Sequence, residues 1–294
     1  MPERSAGSTV PRRQLGRYLR DLRMQARLTV RTAARELEWS EAKMWRIETG
    51  QTSLRSHDAE TMCKVYGAPS DITEALMGLA KETKAKGWWH SYGDVVPEGF
   101  DVYIGLEGAA SSLATYESDL VPGLLQTEEY TRATIRALAD EDDEEVERRV
   151  RLRIERQTLL TRPTAPPQFS LVLSEAALRR PTGGAAVMRK QCEYLVAASG
   201  WANVMIRVMP FSVGSHYGLV TGPFVVLRFP VTGDGAETEP PTVYADGFTG
   251  SLYLDKPSEV QAYDRAFREI WEAALDEQAS RRLMREVAES YGQD

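Results

Sequence analysis

Two cysteines, three histidines and the lack of any long apolar run set the first limits on what this chain can be. Cys63 and Cys192 have no motif spacing and fall in different predicted domains, so a disulfide framework is excluded and each reads as a small buried hydrophobe. Among His57, His90 and His216, no two lie at metal-ligand spacing. No HExxH, paired CxxC, nucleophile elbow or Gly-rich phosphate loop occurs, and the Ser and Lys motifs of a self-cleaving repressor cannot be identified. These absences remove the reason to expect an enzyme, a metal centre or a cofactor. No apolar run approaches the ~18 residues of a membrane span. Met1 to Pro11 is polar, without the apolar core of a secretory signal, so the expected location is the cytoplasm.

What is present is an uneven charge. The chain is acidic overall, with a formal net charge of −7, yet residues 1–86 carry 16 Lys+Arg against 11 Asp+Glu. The remaining 208 residues therefore hold a net −12. Arg12, Arg13, Arg17, Arg20, Arg23, Arg27, Arg31 and Arg35 lie within 24 residues that contain one acid, Asp21. Cations at that density suit phosphate binding, because each one placed at the backbone releases condensed counterions.

Periodicity divides the chain into an all-α N-terminal domain of five helices over residues 1–86 and a C-terminal α+β domain over 87–294 with a small, mainly antiparallel sheet. Leu15, Tyr18, Leu19 and Leu22 mark one face of a first helix from Arg12 to Ala26. Thr29 caps a short second helix with Ala33, Ala34 and Leu37 inward, and Ser40 caps a third that runs to about Thr49, with Gly50 as its C′ residue. Two more helices follow, from His57 to Tyr66 and from Ser70 to Lys84. Beyond the Trp-, Gly- and Pro-rich connection 86–100, helices are expected at Tyr103–Tyr116, Gln126–Leu138 and Asp142–Leu160. Strands are expected at Phe169–Leu173, Val204–Met209, Phe224–Phe229, Thr242–Ala245 and Ser251–Leu254. A helix over Ala185–Ser199 and a helical tail over Ser258–Tyr291 complete the reading. The acids Asp142 to Glu145 read as a helix start, Thr182-Gly183-Gly184 as a turn before a helix, and Glu175 as structural.

The second and third helices have the make-up of a helix-turn-helix. Small Ala33 and Ala34 allow close helix contact, while Met44 and Ile47 anchor the inner face of the third helix. Its outer face then carries Glu41, Ala42, Lys43, Trp45, Arg46 and Thr49. Leu28-Thr29, Ala33, Ala34, Leu37, Ser40, Met44, Arg46-Ile47-Glu48 and Gly50 together resemble the XRE-type helix-turn-helix shared with phage repressors. The departures are Glu38-Trp39, where a glycine–valine turn is common, and Trp45, where a small polar residue is usual. The resemblance implies transcription regulation through the major groove of double-stranded DNA, with an ion pair between Arg23 and Glu48. Arg46 is the leading candidate for a base edge, followed by Lys43 and Glu41. Thr29, Arg31 and Thr49 are placed for phosphates, with Ser40, Ala42 and Trp45 on the same surface.

The remainder resembles a family of antitoxin-like bacterial regulators from mycelial soil bacteria. The resemblance rests on Trp88-Trp89, Leu106-Glu107, Val121 to Tyr130, Arg153, Arg156-Gln157, Glu175 to Pro181, Val208 to Phe211 and Gly222-Pro223-Phe224. It implies a regulator that binds a small protein encoded nearby and that works on the nucleoid. Trp88, Trp89, Leu124 and Tyr130 are the candidate anchors for such a partner. A small-molecule pocket in the same half is the alternative. A homodimer is expected, since one module covers one half-site. The stripe Tyr263, Phe267, Ile270, Trp271, Ala274 and Leu275 either forms the dimer surface or packs on the sheet.

Overall fold

The computed structural model describes residues 9–83, 92, 100–138, 142–231, 237–247 and 250–292. The chain forms two compact units, Met1–Leu106 and Glu107–Asp294. The expected boundary at 86/87 lies outside the described residues, as do Trp88 and Trp89.

In the first unit, five helices follow the apolar periods: α1 (Thr9–Gln25), α2 (Val30–Glu36), α3 (Glu41–Glu48), α4 (Ser56–Tyr66) and α5 (Ser70–Glu82). Leu15 and Leu19 from α1 meet Ala33, Ala34, Met44 and Ile47, and the far side is closed by Ala59, Met62, Cys63, Leu76 and Ala80. The α4–α5 break is sharp because Gly67 takes the left-handed conformation (φ 68°) and the Ala68 N–H donates back to the Cys63 carbonyl at 2.9 Å.

After α6 (Phe100–Ala109), the second unit runs β1 (Ser112–Glu117), α7 (Glu128–Leu138), α8 (Asp143–Thr161) and β2 (Gln168–Ser174). It continues with α9 (Glu175–Arg179), α10 (Ala185–Ala198), β3 (Val204–Met209) and α11 (Gly218–Thr221). β4 (Phe224–Arg228), β5 (Thr242–Gly247), β6 (Gly250–Leu254), α12 (Pro257–Ala273) and α13 (Glu277–Ser290) complete it. The sheet has six strands in the order β3-β2-β1-β4-β5-β6. It is mixed: β1, β2 and β3 are parallel, whereas the β1–β4, β4–β5 and β5–β6 pairs are antiparallel.

This corrects the expectation of a small, mainly antiparallel sheet. The error traces to β1, expected as the end of a helix over Tyr103–Tyr116. Tyr103, Leu106, Ala110 and Leu113 are all buried and keep helical spacing, although the helix stops at Ala109. Leu113, Thr115 and Tyr116 are also all buried, so the strand lacks the in/out alternation that would mark it. Leu113 pairs with Phe169 on one side and Leu227 on the other, so the missed strand is an interior one.

The C-terminal stripe packs on the sheet. Ile270 and Ala274 are buried with Tyr116, Val172, Phe224 and Val243, and Tyr263, Phe267 and Trp271 pack against them. Those side chains are committed to the core, which removes them as a dimer surface. The turn between the two tail helices also covers the β3 edge: the Leu275 N–H donates to the Val208 carbonyl at 3.0 Å, and Ser280 Oγ accepts from the Val208 N–H at 2.9 Å.

The residues from Val121 to Tyr130 are held from within. Gln126 Nε2 donates to the Val121 carbonyl at 2.7 Å, and Gln126 Oε1 accepts from Thr131 at 3.1 Å and from Arg153 at 2.9 Å. Gln157 Nε2 reaches the carbonyls of Gly123 (2.9 Å) and Gln126 (2.7 Å), while Gln191 donates to the Leu125 carbonyl at 2.7 Å and accepts from the Thr127 N–H at 2.7 Å. Leu124 (3% exposed) and Tyr130 (0%) sit inside this arrangement, so neither offers an anchor to a partner. Beside it, buried Glu107 takes two hydrogen bonds from Arg156, at 2.7 and 3.1 Å. Glu107→Gln is expected to leave Arg156 charged without its counter-ion and to destabilise the second unit by about 3–5 kcal/mol. Equilibrium urea unfolding measures this, and a loss below about 1 kcal/mol contradicts it.

Candidate nucleic-acid interface

The helix-turn-helix is built from two capped helices and the turn between them. Thr29 Oγ1 accepts from the Thr32 N–H at 3.1 Å at the start of α2, and Ser40 Oγ accepts from the Lys43 N–H at 3.1 Å at the start of α3. Between them Glu38 lies in the left-handed region (φ 55°), where an L side chain crowds its own backbone. Arg27, which ends α1, has the same conformation (φ 58°). Glycine is the residue suited to both positions, and neither has one.

Helix α3 is seated on α1 by close backbone contact. A Cβ on Gly16 would fall 2.5 Å from the Ile47 carbonyl oxygen and 2.8 Å from that of Glu48. A Cβ on Gly50 would lie 2.7 Å from the Arg13 Cα, and Gly50 is also left-handed at φ 73°. Nothing in the apolar periodicity marked Gly16. The signal available was a lone glycine inside an otherwise helical segment, which often records a close approach.

An ion pair closes the same junction. Arg23 Nε donates to Glu48 Oε1 at 2.6 Å and its Nη2 to Oε2 at 2.8 Å, while Nη1 donates to the Leu28 carbonyl at 2.8 Å. Both side chains are buried. The hydrogen bonds to Glu48, outweighing desolvation, hold the guanidinium above its ordinary pKa. One side chain thus joins α1, the α1–α2 turn and the end of α3.

With Met44, Ile47 and Glu48 turned inward, α3 leaves Glu41, Ala42, Trp45, Arg46 and Thr49 exposed. Arg46 and Arg31 make no side-chain hydrogen bond or ion pair among the described residues, so their guanidinium groups are available. Thr29 and Ser40 are exposed, although their hydroxyls already accept the cap bonds. Lys43 is less available: its Nζ lies 3.4 Å from the centre of the Trp39 ring, and burial lowers its pKa. The Thr49 hydroxyl donates back to the Trp45 carbonyl at 2.7 Å. The arginine-rich segment is also less uniformly cationic at its surface than its sequence implies. Arg12 (4% exposed), Arg13 (6%) and Arg23 (8%) point inward, and Arg12 pairs with Asp101 at 3.5 Å.

This geometry defines a helix-turn-helix domain of the kind that DNA-binding regulators carry, and a helix-turn-helix domain model matches residues 14–76. The model of a domain of unknown function, DUF5753, matches residues 100–286, more than half of the chain, and the protein belongs to that family. No curated protein and no solved structure matches the chain.

Two substitutions test the junction in opposite directions. Glu48→Ala strands a buried arginine and is expected to cost about 3–5 kcal/mol. Glu38→Gly relieves the left-handed turn, and after the added freedom of the unfolded chain it is expected to stabilise by about 0.5–1 kcal/mol. Thermal melts of the full chain separate the two, and a Glu38→Gly variant that melts lower refutes the strain at the turn.

Proposed function

We propose that this protein is a sequence-specific transcriptional regulator of the XRE type, inserting α3 into the major groove of double-stranded DNA as a homodimer. The observation that supports it is the division of α3, whose inner face packs on α1 while Arg46 stands exposed with no side-chain partner among the described residues. In this reading Arg46 donates to a guanine edge, Glu41, Ala42, Lys43 and Trp45 shape the surrounding contact, and Thr29, Arg31, Ser40 and Thr49 face phosphates. A dimer supplies the second half-site that specificity in a genome demands. The same reading puts the protein in the bacterial cytoplasm on the nucleoid; no helix among the described residues is long and apolar enough to cross a membrane.

The C-terminal part of the chain is, in this proposal, a non-catalytic receiver of the antitoxin-like kind for a small protein encoded nearby, with Trp88 and Trp89, which precede the second unit, as the anchors. Its net negative charge disfavours contact with the duplex. One observation favours a small molecule instead. Glu117, at the end of β1, is half-buried, and its carboxyl makes no hydrogen bond or ion pair among the described residues. Burial, together with Asp119 and Asp246, pushes its carboxyl up to about 8. Arg153, whose pKa burial and the nearby Arg156 and Arg149 lower to about 10, has Gln126 rather than a carboxylate as its hydrogen-bond partner.

Arg46→Ala is expected to cost about 1–3 kcal/mol on operator DNA and to relax the preference at one base pair. Arg31→Ala is expected to weaken operator and random DNA alike and to reduce the salt slope by about 1. Unchanged affinity of both variants for both DNAs contradicts the placement of α3. Titration calorimetry of the full chain with the neighbouring gene's small protein, beside a metabolite screen, separates the two readings of the second unit. Heat with the protein supports the receiver; tight binding of a metabolite alone supports the sensor.

A further inference from the structure

Trp45 is the large apolar side chain on the outer face of α3. It is 56% exposed, belongs to no core cluster among the described residues, and stands one turn of helix from exposed Ala42. Its polar neighbours are drawn away: Lys43 lies over the Trp39 ring at 3.4 Å, and the Thr49 hydroxyl is turned back to the Trp45 carbonyl at 2.7 Å. What remains at the middle of the outer face is an apolar pair one helical turn apart, Ala42 and Trp45, with exposed Arg46 the next residue along the chain.

The apolar group that a major groove presents most prominently to such a pair is the C5-methyl of thymine, set among hydrogen-bond donors and acceptors. Burying the indole against donors and acceptors alone would leave them unsatisfied. We infer that Trp45 is a specificity-determining residue that reads a thymine methyl group in the half-site whose guanine Arg46 reads. This inference rests on the DNA-binding reading and adds to it the chemistry of one base position.

The test begins with half-sites selected from a randomised duplex library by the full-length protein. Each thymine of the selected site is then replaced in turn by deoxyuridine, which removes the methyl group and nothing else. One position per half-site is expected to lose about fourfold in affinity, the factor carried by one buried methyl group. Trp45→Ala, an exposed change whose folding is checked by its melting curve, is expected to bind thymine and deoxyuridine duplexes equally. Trp45→Phe, which keeps an apolar ring, is expected to retain most of the discrimination. The inference is overturned if the wild-type protein tolerates deoxyuridine at every position, or if Trp45→Ala keeps the full methyl sensitivity. Failure of the wider reading looks different: the full-length protein then selects no sequence. A selected site that Arg46→Ala relaxes but deoxyuridine leaves unaffected would remove Trp45 from recognition and leave the DNA-binding reading standing.

Discussion

The seating of α3 on α1 is the constraint on which the first unit depends. Three contacts converge there: the backbone approach at Gly16, the approach of Gly50 to Arg13, and the two-pronged Arg23–Glu48 pair. Each is intolerant for a different reason. The glycine contacts leave no volume for a methyl group, and the ion pair holds two buried charges that are costly if either is left alone. Together they fix the rotation of α3 about its own axis, which decides that Met44 and Ile47 face the core and Arg46 and Trp45 face outward. Orientation of this helix is therefore a property of the packing behind it. The helix has only eight residues and would not be stable alone.

The second unit repeats the device with other parts. Glu107 and Arg156 form a buried pair, and the amides of Gln126, Gln157 and Gln191 satisfy the backbone of the turn around Gly123. The turn is thus stabilised by side chains from α8 and α10 in addition to its own Leu125 N–H to Pro122 carbonyl bond. Against this closed arrangement the half-buried Glu117 carboxyl stands out, with no hydrogen-bond partner among the described residues.

The helices of the first unit were legible because local chemistry and long-range packing agree there. Thr29 and Ser40 cap, Gly67 stops, and the apolar spacing of Leu15 and Leu19 leaves one face inward. The second unit was less legible. Strand β1 is buried on both faces and follows a helix whose spacing carries into it, so periodicity could not separate the two. Leu124 and Tyr130 looked like anchors because an apolar residue in a turn reads as exposed. They are covered by helices distant in sequence. The tail stripe was ambiguous from the start, since one apolar face serves a sheet or a second chain equally well.

The sequence by itself determined the short helices of the first unit, their caps and breaks, and the residue types on the two faces of α3. Those features depend on interactions within a few residues, and neighbouring side chains specify them. Only the tertiary structure decided that Arg12 and Arg13 turn inward, that β1 makes the sheet mixed, and that the tail covers the sheet. Each of these is settled by which distant surface arrives to cover a group, and a linear pattern of residues carries no record of that arrival.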